Sequence, residues 1–234
     1  MKNTINYTQI SPQDKNALNN VNYQNINCYI NFKDLLVKKP WGSEYLLFEN
    51  SFCAIWILNI KYMENTSMHC HPNKDTSLVC LDGQVSCNTL NNSNKINTLD
   101  GIFLGKKIFH QTQSVSANGS YILEIETPVN KFDLVRLNDT YGRQGKEYEA
   151  KEHYTTYNNL TLSLQDNYKK EINNTILEII DISSIDELNK YNDSTIVSII
   201  SEHLDCGKIS RLSSVKDLNL FIGTVVLIIS KKFT

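Results

Sequence analysis

The residues with the most chemistry to offer are His69, Cys70 and His71, then Asp75, Thr76 and Gly83, then His110. In an extended strand, residues i and i+2 share a face. His69 and His71 therefore present two imidazoles side by side, and His110 follows on a candidate return strand. Three neutral imidazoles converging inside a barrel are ligands for a divalent metal such as zinc, iron, nickel or manganese. The fourth ligand of such a site is a carboxylate or water. The plainer reading of His-x-His is a half-exposed pair on a strand surface. His153 and His203 stand outside the pattern and read as surface histidines.

A second pair is Glu124 and Glu126, again two apart on a candidate strand. If their shared face is an interior, burial and mutual repulsion raise at least one carboxyl pKa toward neutrality. That suits a group that takes a proton next to a carbonyl and returns it elsewhere. If the face is exterior, the pair is merely solvated. Recognition of a phosphate needs cations, and Lys38, Lys39, Lys74, Lys106, Lys107, Arg136 and Arg143 are the candidates. Arginine offers a bidentate grip. Alternatively Arg136 pairs with Asp133 or Asp139, and Arg143 anchors a tail. Trp41 either packs over a barrel end or stacks on a sugar ring, and Tyr141 is either packing or a proton donor.

These residues need a scaffold, and the chain spells one out in short apolar runs with turns between them. Glu44–Phe48, Ala54–Tyr62, Thr76–Leu81, Gln84–Leu90, Gly101–Leu104, Phe109–Val115 and Tyr121–Glu126 are the runs. Asp82-Gly83 between two of them is a hairpin signal. Regular short strands without helices between them predict an all-β sandwich or barrel. Residues 1–26 read as a loose arm or an extended segment packed elsewhere, with a short strand and turn beginning near Cys28, and residues 27–150 as the barrel. Residues 151–234 read as a smaller appendage, either α/β or a degenerate second barrel. It has strands near Ile176–Ile182, Thr195–Ser201 and Leu220–Ile229 and a short capped helix at Ser184–Tyr191.

Composition narrows the setting. The chain has 234 residues, 41% hydrophobic and 21% charged, enough for one core and an appendage. Its net charge of −2 argues against a nucleic-acid or anionic-membrane surface. The longest apolar candidate, Leu218–Ser230, is broken by Asn219, Gly223 and Thr224, which argues against a membrane span. The polar, Asn-rich start lacks a signal-peptide pattern. Six cysteines without a Cys-x-x-Cys pair then read as reduced thiols in the cytoplasm.

Three blocks carry a resemblance. Lys39-Pro40-Trp41-Gly42-Ser43-Glu44-Tyr45 is the first and Ser67–Gly83 the second. The third runs from Leu123-Glu124-Ile125-Glu126-Thr127 through Asp133-Leu134-Val135-Arg136 to Asp139-Thr140-Tyr141-Gly142-Arg143. Together they resemble the cupin domain of type II phosphomannose isomerases, also found fused to mannose-1-phosphate guanylyltransferases. The resemblance implies a jelly-roll β-barrel that pairs through its sheets as a homodimer. It implies a divalent metal, with zinc the first choice, held by His69, His71 and His110 with a motif glutamate whose place falls near Asp75 or Thr76. It also implies a sugar-phosphate or nucleotide-sugar isomerase or epimerase in bacterial surface polysaccharide synthesis. His69, His71, Glu124, Glu126 and Tyr141 would be its catalytic set, and Trp41, Lys74, Lys107, Arg136 and Arg143 its substrate contacts.

The chain departs from the family pattern at three places. Thr76 stands where the motif glutamate falls, Pro72 replaces an arginine, and Gly105-Lys106-Lys107 replaces a proline-glycine turn. The metal site is then three-histidine, or uses Asp75, or is lost. A non-catalytic sugar-binding cupin and a metal-dependent dioxygenase are the competing readings.

Overall fold

The computed structural model describes residues 4–21, 30–143, 151–162, 168–214 and 220–232. The barrel strands are β1 (Ile5–Thr8), β2 (Leu35–Lys39), β3 (Gly42–Glu49), β4 (Ala54–Ile60), β5 (Met68–Cys70) and β6 (Asp75–Asp82). They continue as β7 (Gln84–Thr89), β8 (Ser93–Asn97), β9 (Gly101–Leu104), β10 (His110–Ser114), β11 (Ser120–Thr127) and β12 (Val135–Asn138), with β13 (Tyr154–Thr156) pairing on β2. One sheet runs β1-β9-β6-β11-β4-β3-β2-β13 and the other β12-β5-β10-β7-β8. Strands β4, β11, β6 and β9 face β5, β10, β7 and β8 in an order that makes two interlocked Greek keys. This is a jelly roll, the fold of the cupins.

Alternation along the strands decides which side chains reach the interior. Leu46, Trp56, Leu58, Leu78, Cys80, Cys87 and Ile122 point inward and form one buried cluster. Their neighbours Leu47, Ile55, Ile57, Val79, Leu81, Leu123 and Ile125 point outward from the larger sheet. Glu124 and Glu126 continue the parity of Ile122, so both face the barrel interior and both are buried. The Asp82-Gly83 hairpin forms as the sequence predicts. Gly83 adopts φ +81°, and a Cβ there would lie 2.8 Å from the Gly119 carbonyl oxygen.

Of the two readings of the amino-terminal segment, residues 5–8 follow the extended, packed one. Strand β1 pairs in parallel with β9. Helix α1 (Pro12–Asn19) begins with a capping box between Ser11 and Asp14. Ala17 and Leu18 pack on Cys70, Phe109 and Val135, closing the outer face of the smaller sheet. Residues 22–29, including Cys28, lie outside the described residues.

The carboxy-terminal appendage is a third sheet. It contains β14 (Lys169–Ile172), β15 (Thr175–Asp181), β16 (Ile196–Ile199), β17 (Ile209–Arg211) and β18 (Val225–Lys231), ordered β14-β15-β18-β16-β17. The expected helix near Ser184 is a 3-10 turn capped by the Ser184 hydroxyl. Leu177, Ile196, Ile200, Ile209, Leu227 and Ile229 join the outward-facing residues of the larger barrel sheet in one core. The appendage thus covers that sheet face. No helix among the described residues is long and apolar enough to cross a membrane.

Candidate functional site

Strand pairing assembles the histidines. His110 on β10 lies directly opposite His69 on β5, and Arg136 on β12 lies opposite His69 on the other side. His71 follows β5 immediately and keeps the orientation of His69. Ring centroids are 4.5 Å apart for His69 and His110, 5.1 Å for His69 and His71, and 5.5 Å for His71 and His110.

Each imidazole is fixed through its Nδ1. His69 Nδ1 lies 2.8 Å from the Ser67 carbonyl, His71 Nδ1 2.6 Å from the Asp133 carbonyl, and His110 Nδ1 3.0 Å from the Ile108 carbonyl. A carbonyl only accepts, so each Nδ1 carries the proton and each Nε2 keeps its lone pair. The Nε2 atoms of His71 and His110 are buried without a hydrogen-bond partner. Burial is the main reason that all three pKa values fall, and His110 is lowered to about 4. Near neutral pH the three are therefore uncharged bases, with one ligand atom from each gathered within 4.8 Å.

This donor set fits a divalent metal. Neutral imidazoles with Nδ1 anchored on carbonyls and Nε2 free form the usual nitrogen set for such an ion. His69, His71 and His110 would hold it. Asp75 is not brought to them. Its carboxylate accepts the Lys106 N–H instead.

A buried charge network adjoins the histidines. Glu44, Glu124 and Glu126 face one another across β3 and β11, and Lys131 reaches all three, at 3.3 Å, 3.8 Å and 3.8 Å. Lys131 also lies over the Trp56 ring at 3.8 Å. Lys39 pairs with Glu44 at 3.4 Å, and Lys74 with Glu126 at 2.7 Å. Burial raises the Glu124 pKa to about 7; Lys131 opposes this, and Glu126 and Glu44 reinforce it. The spacing leaves interior and exterior faces open; the pair lies on the interior face, and the burial effect on acid–base behaviour falls on Glu124.

A cavity of about 60 Å³ lies over these groups, lined also by Trp41, Arg136 and Arg143. A second cavity of about 290 Å³ shares Glu126 and Lys131 with it. Lys74 is buried in its ion pair and does not line the first cavity. Lys107 is exposed and approaches the site only through its backbone, which donates to the His71 carbonyl. Tyr141 donates its hydroxyl proton to Glu64 and packs against the interior cluster from outside the cavity. Arg143 is clamped to Asp139 at 2.7 Å while still lining the cavity.

Two important residues escaped the sequence reading as site members. Glu44 was recoverable, because it shares interior parity with Leu46. Lys131 sits in irregular chain after β11, where no periodicity points inward.

No family model matches the chain, and no curated protein does. Among solved structures the chain is similar to the capsular polysaccharide assembling protein CapF from Staphylococcus aureus, at 10% identity over 44% of this chain and 34% of that one, with TM-score 0.41. It is similar to KdgF from Halomonas sp., at 10% identity over 45% and 96% of the two chains, with TM-score 0.39. It is also similar to an RmlC-like cupin from Shewanella frigidimarina, at 11% identity over 45% and 95%, with TM-score 0.38.

Proposed function

We propose that the chain is a metal-assisted isomerase or epimerase acting on a sugar phosphate or nucleotide sugar in bacterial surface polysaccharide synthesis. The observation that carries this reading is a buried carboxyl, Glu124, with a pKa near 7 in the same cavity as three neutral imidazoles. A proton-transfer group works best when its pKa lies near the operating pH. Glu124 takes a proton from the carbon beside a carbonyl and returns it. Lys131 stands over the carboxylates and supplies positive charge next to the transfer. His69, His71 and His110 would hold a divalent metal, with zinc the first candidate, and when bound it would supply Lewis-acid stabilisation of a developing oxyanion. Arg136 and Arg143 on the cavity wall hold the anionic end of the substrate. The second cavity, which shares Glu126 and Lys131 with the first, offers room for the remainder of the substrate.

The oligomer belongs to this reading too. A homodimer formed through the larger sheet would need the face that the appendage covers, so a dimer must use another surface.

The test is solvent exchange. The metal-loaded enzyme is incubated in D2O with a panel of aldose and ketose phosphates and nucleotide sugars. Deuterium should enter next to the carbonyl of one of them, and Glu124→Gln should abolish it. Saturable ligand binding with no exchange across the panel would establish a binding protein instead.

A further inference from the structure

The three histidines leave one protein ligand unassigned, and the interior of β11 offers it. We propose that Glu126 completes the metal site, its Oε2 acting as the fourth ligand beside His69, His71 and His110. This rests on the metal-assisted reading above and specifies its coordination.

The sheet register places the carboxylate. On the β6–β11 ladder, Glu126 lies directly opposite Thr76. Thr76 is buried, faces the interior and has an Oγ1 without a hydrogen-bond partner. It is the position where a ligating glutamate would be expected on β6, and it is too short and too weak a donor to serve. The carboxylate instead arrives from the adjacent strand at the same level of the barrel.

Glu126 itself is only half satisfied. Its side chain is almost fully buried, and Oε1 accepts from Lys74 Nζ at 2.7 Å. Oε2 is buried with no hydrogen-bond partner. An ionised oxygen in that state lacks the compensation that burial demands. A cation is the partner that would supply it. The two nearest lysines already share Oε1, with Lys131 Nζ at 3.8 Å from that atom.

Proximity agrees. One ligand atom from each of His71, Glu124 and Glu126 lies within 4.8 Å of the others, forming a cluster separate from the His69–His71–His110 triad and joined to it through His71. Two ligands on one zinc ion, each about 2.1 Å from it, lie at most about 4.2 Å apart. Rotation of the Glu126 side chain toward His69 and His110 would bring Oε2 onto an ion held by the triad, through the shared His71. Lys74 would fix the outer oxygen of the ligating carboxylate, as such carboxylates are commonly fixed by hydrogen bonds. Asp75 is excluded by its bond to the Lys106 N–H. Glu124 lacks an anchoring bond of this kind and remains the acid–base group.

Cobalt(II) tests the assignment without any need for turnover. The full-length chain is stripped of metal and titrated with cobalt at neutral pH, and its visible d–d absorption is recorded. Glu126→Gln keeps size and the contact with Lys74. It should weaken cobalt binding by about 100-fold and change the band positions and intensity. Restoring a carboxylate across the ladder, as Glu126→Gln with Thr76→Glu, should recover most of the affinity. Wild-type affinity and an unchanged spectrum in Glu126→Gln would overturn the proposal while leaving the three-histidine site standing. If that variant does not fold, Glu126→Asp retains the charge facing Lys74 and withdraws the ligand by one methylene. An unchanged spectrum there would overturn the proposal equally. Failure of the wild type to bind cobalt at all would overturn the metal reading together with this one.

Discussion

Burial makes the three imidazoles usable. A histidine in the unfolded chain takes a proton below about pH 6.5, whereas folded His110 does so only below about 4. Between those limits the unfolded state binds the extra proton, so acidification through that window lowers stability. The loss from His110 alone approaches about 3 kcal/mol. Glu124 works in the opposite sense. Its folded pKa of about 7 lies above its ordinary 4.5, so stability falls as pH rises through that interval. Burial sets most of that rise, and Lys131, Glu126, Glu44 and Lys74, which face it, adjust it. Urea unfolding of the metal-free protein across both windows should show a shallower acid loss in His110→Ala than in the wild type. An identical acid slope would mean that His110 is not the buried neutral base described. At this scale the sequence was most legible where period-two spacing applied, at His69, His71, Glu124 and Glu126. It was least legible at Lys131, because an irregular segment carries no pattern that says which way a side chain turns.

The strands around the site were readable for the same reason. Gly101–Leu104 forms with the boundaries that the apolar run gives, and β7, β10 and β11 form with ends shifted by no more than a residue. Strand β8 was hidden, because Ser93–Asn97 is polar and half exposed and reads as a turn. Helix α1 was hidden too, since its eight residues are mostly polar and only Asp14 is buried. Yet α1 matters to the site. Asp14 caps its own helix through Ser11 and also accepts the Phe109 N–H at 3.0 Å, next to His110. Asp14→Ala removes the carboxylate half of the capping box, which accepts the Ser11 N–H, and leaves the buried Phe109 N–H unsatisfied, while the Ser11 hydroxyl cap remains. The unsatisfied buried N–H costs about 1–2 kcal/mol and the lost half of the capping box adds less, so a destabilisation of about 2 kcal/mol is expected. Thermal unfolding of the variant checks this, and a loss below about 1 kcal/mol would show that the helix does not brace β10.

Across the whole molecule, the barrel is closed on both outer faces by its own chain. Helix α1 covers the smaller sheet and the appendage covers the larger one. The apolar runs of the appendage were visible in the sequence, but its docking was not. The residues that face it, Leu47, Ile55, Ile57, Val79, Leu81, Leu123 and Ile125, look like any buried strand residues until the third sheet is seen against them. Removing residues 151–234 would bare that face, and patches of this size drive association. Light scattering on the truncated chain should therefore show self-association or precipitation, while the intact chain stays dispersed. A truncated chain that remains a well-behaved monomer would mean that the appendage is not needed to cover the sheet.

The most direct measurement is elemental analysis of the full-length protein, purified without a metal-affinity tag or chelator and then reloaded with zinc. Near-stoichiometric metal in the wild type, lost in His71→Ala and His110→Ala variants that still fold, is the expected result. No retained metal after reloading would contradict the three-histidine site and leave the imidazoles as buried bases without an ion.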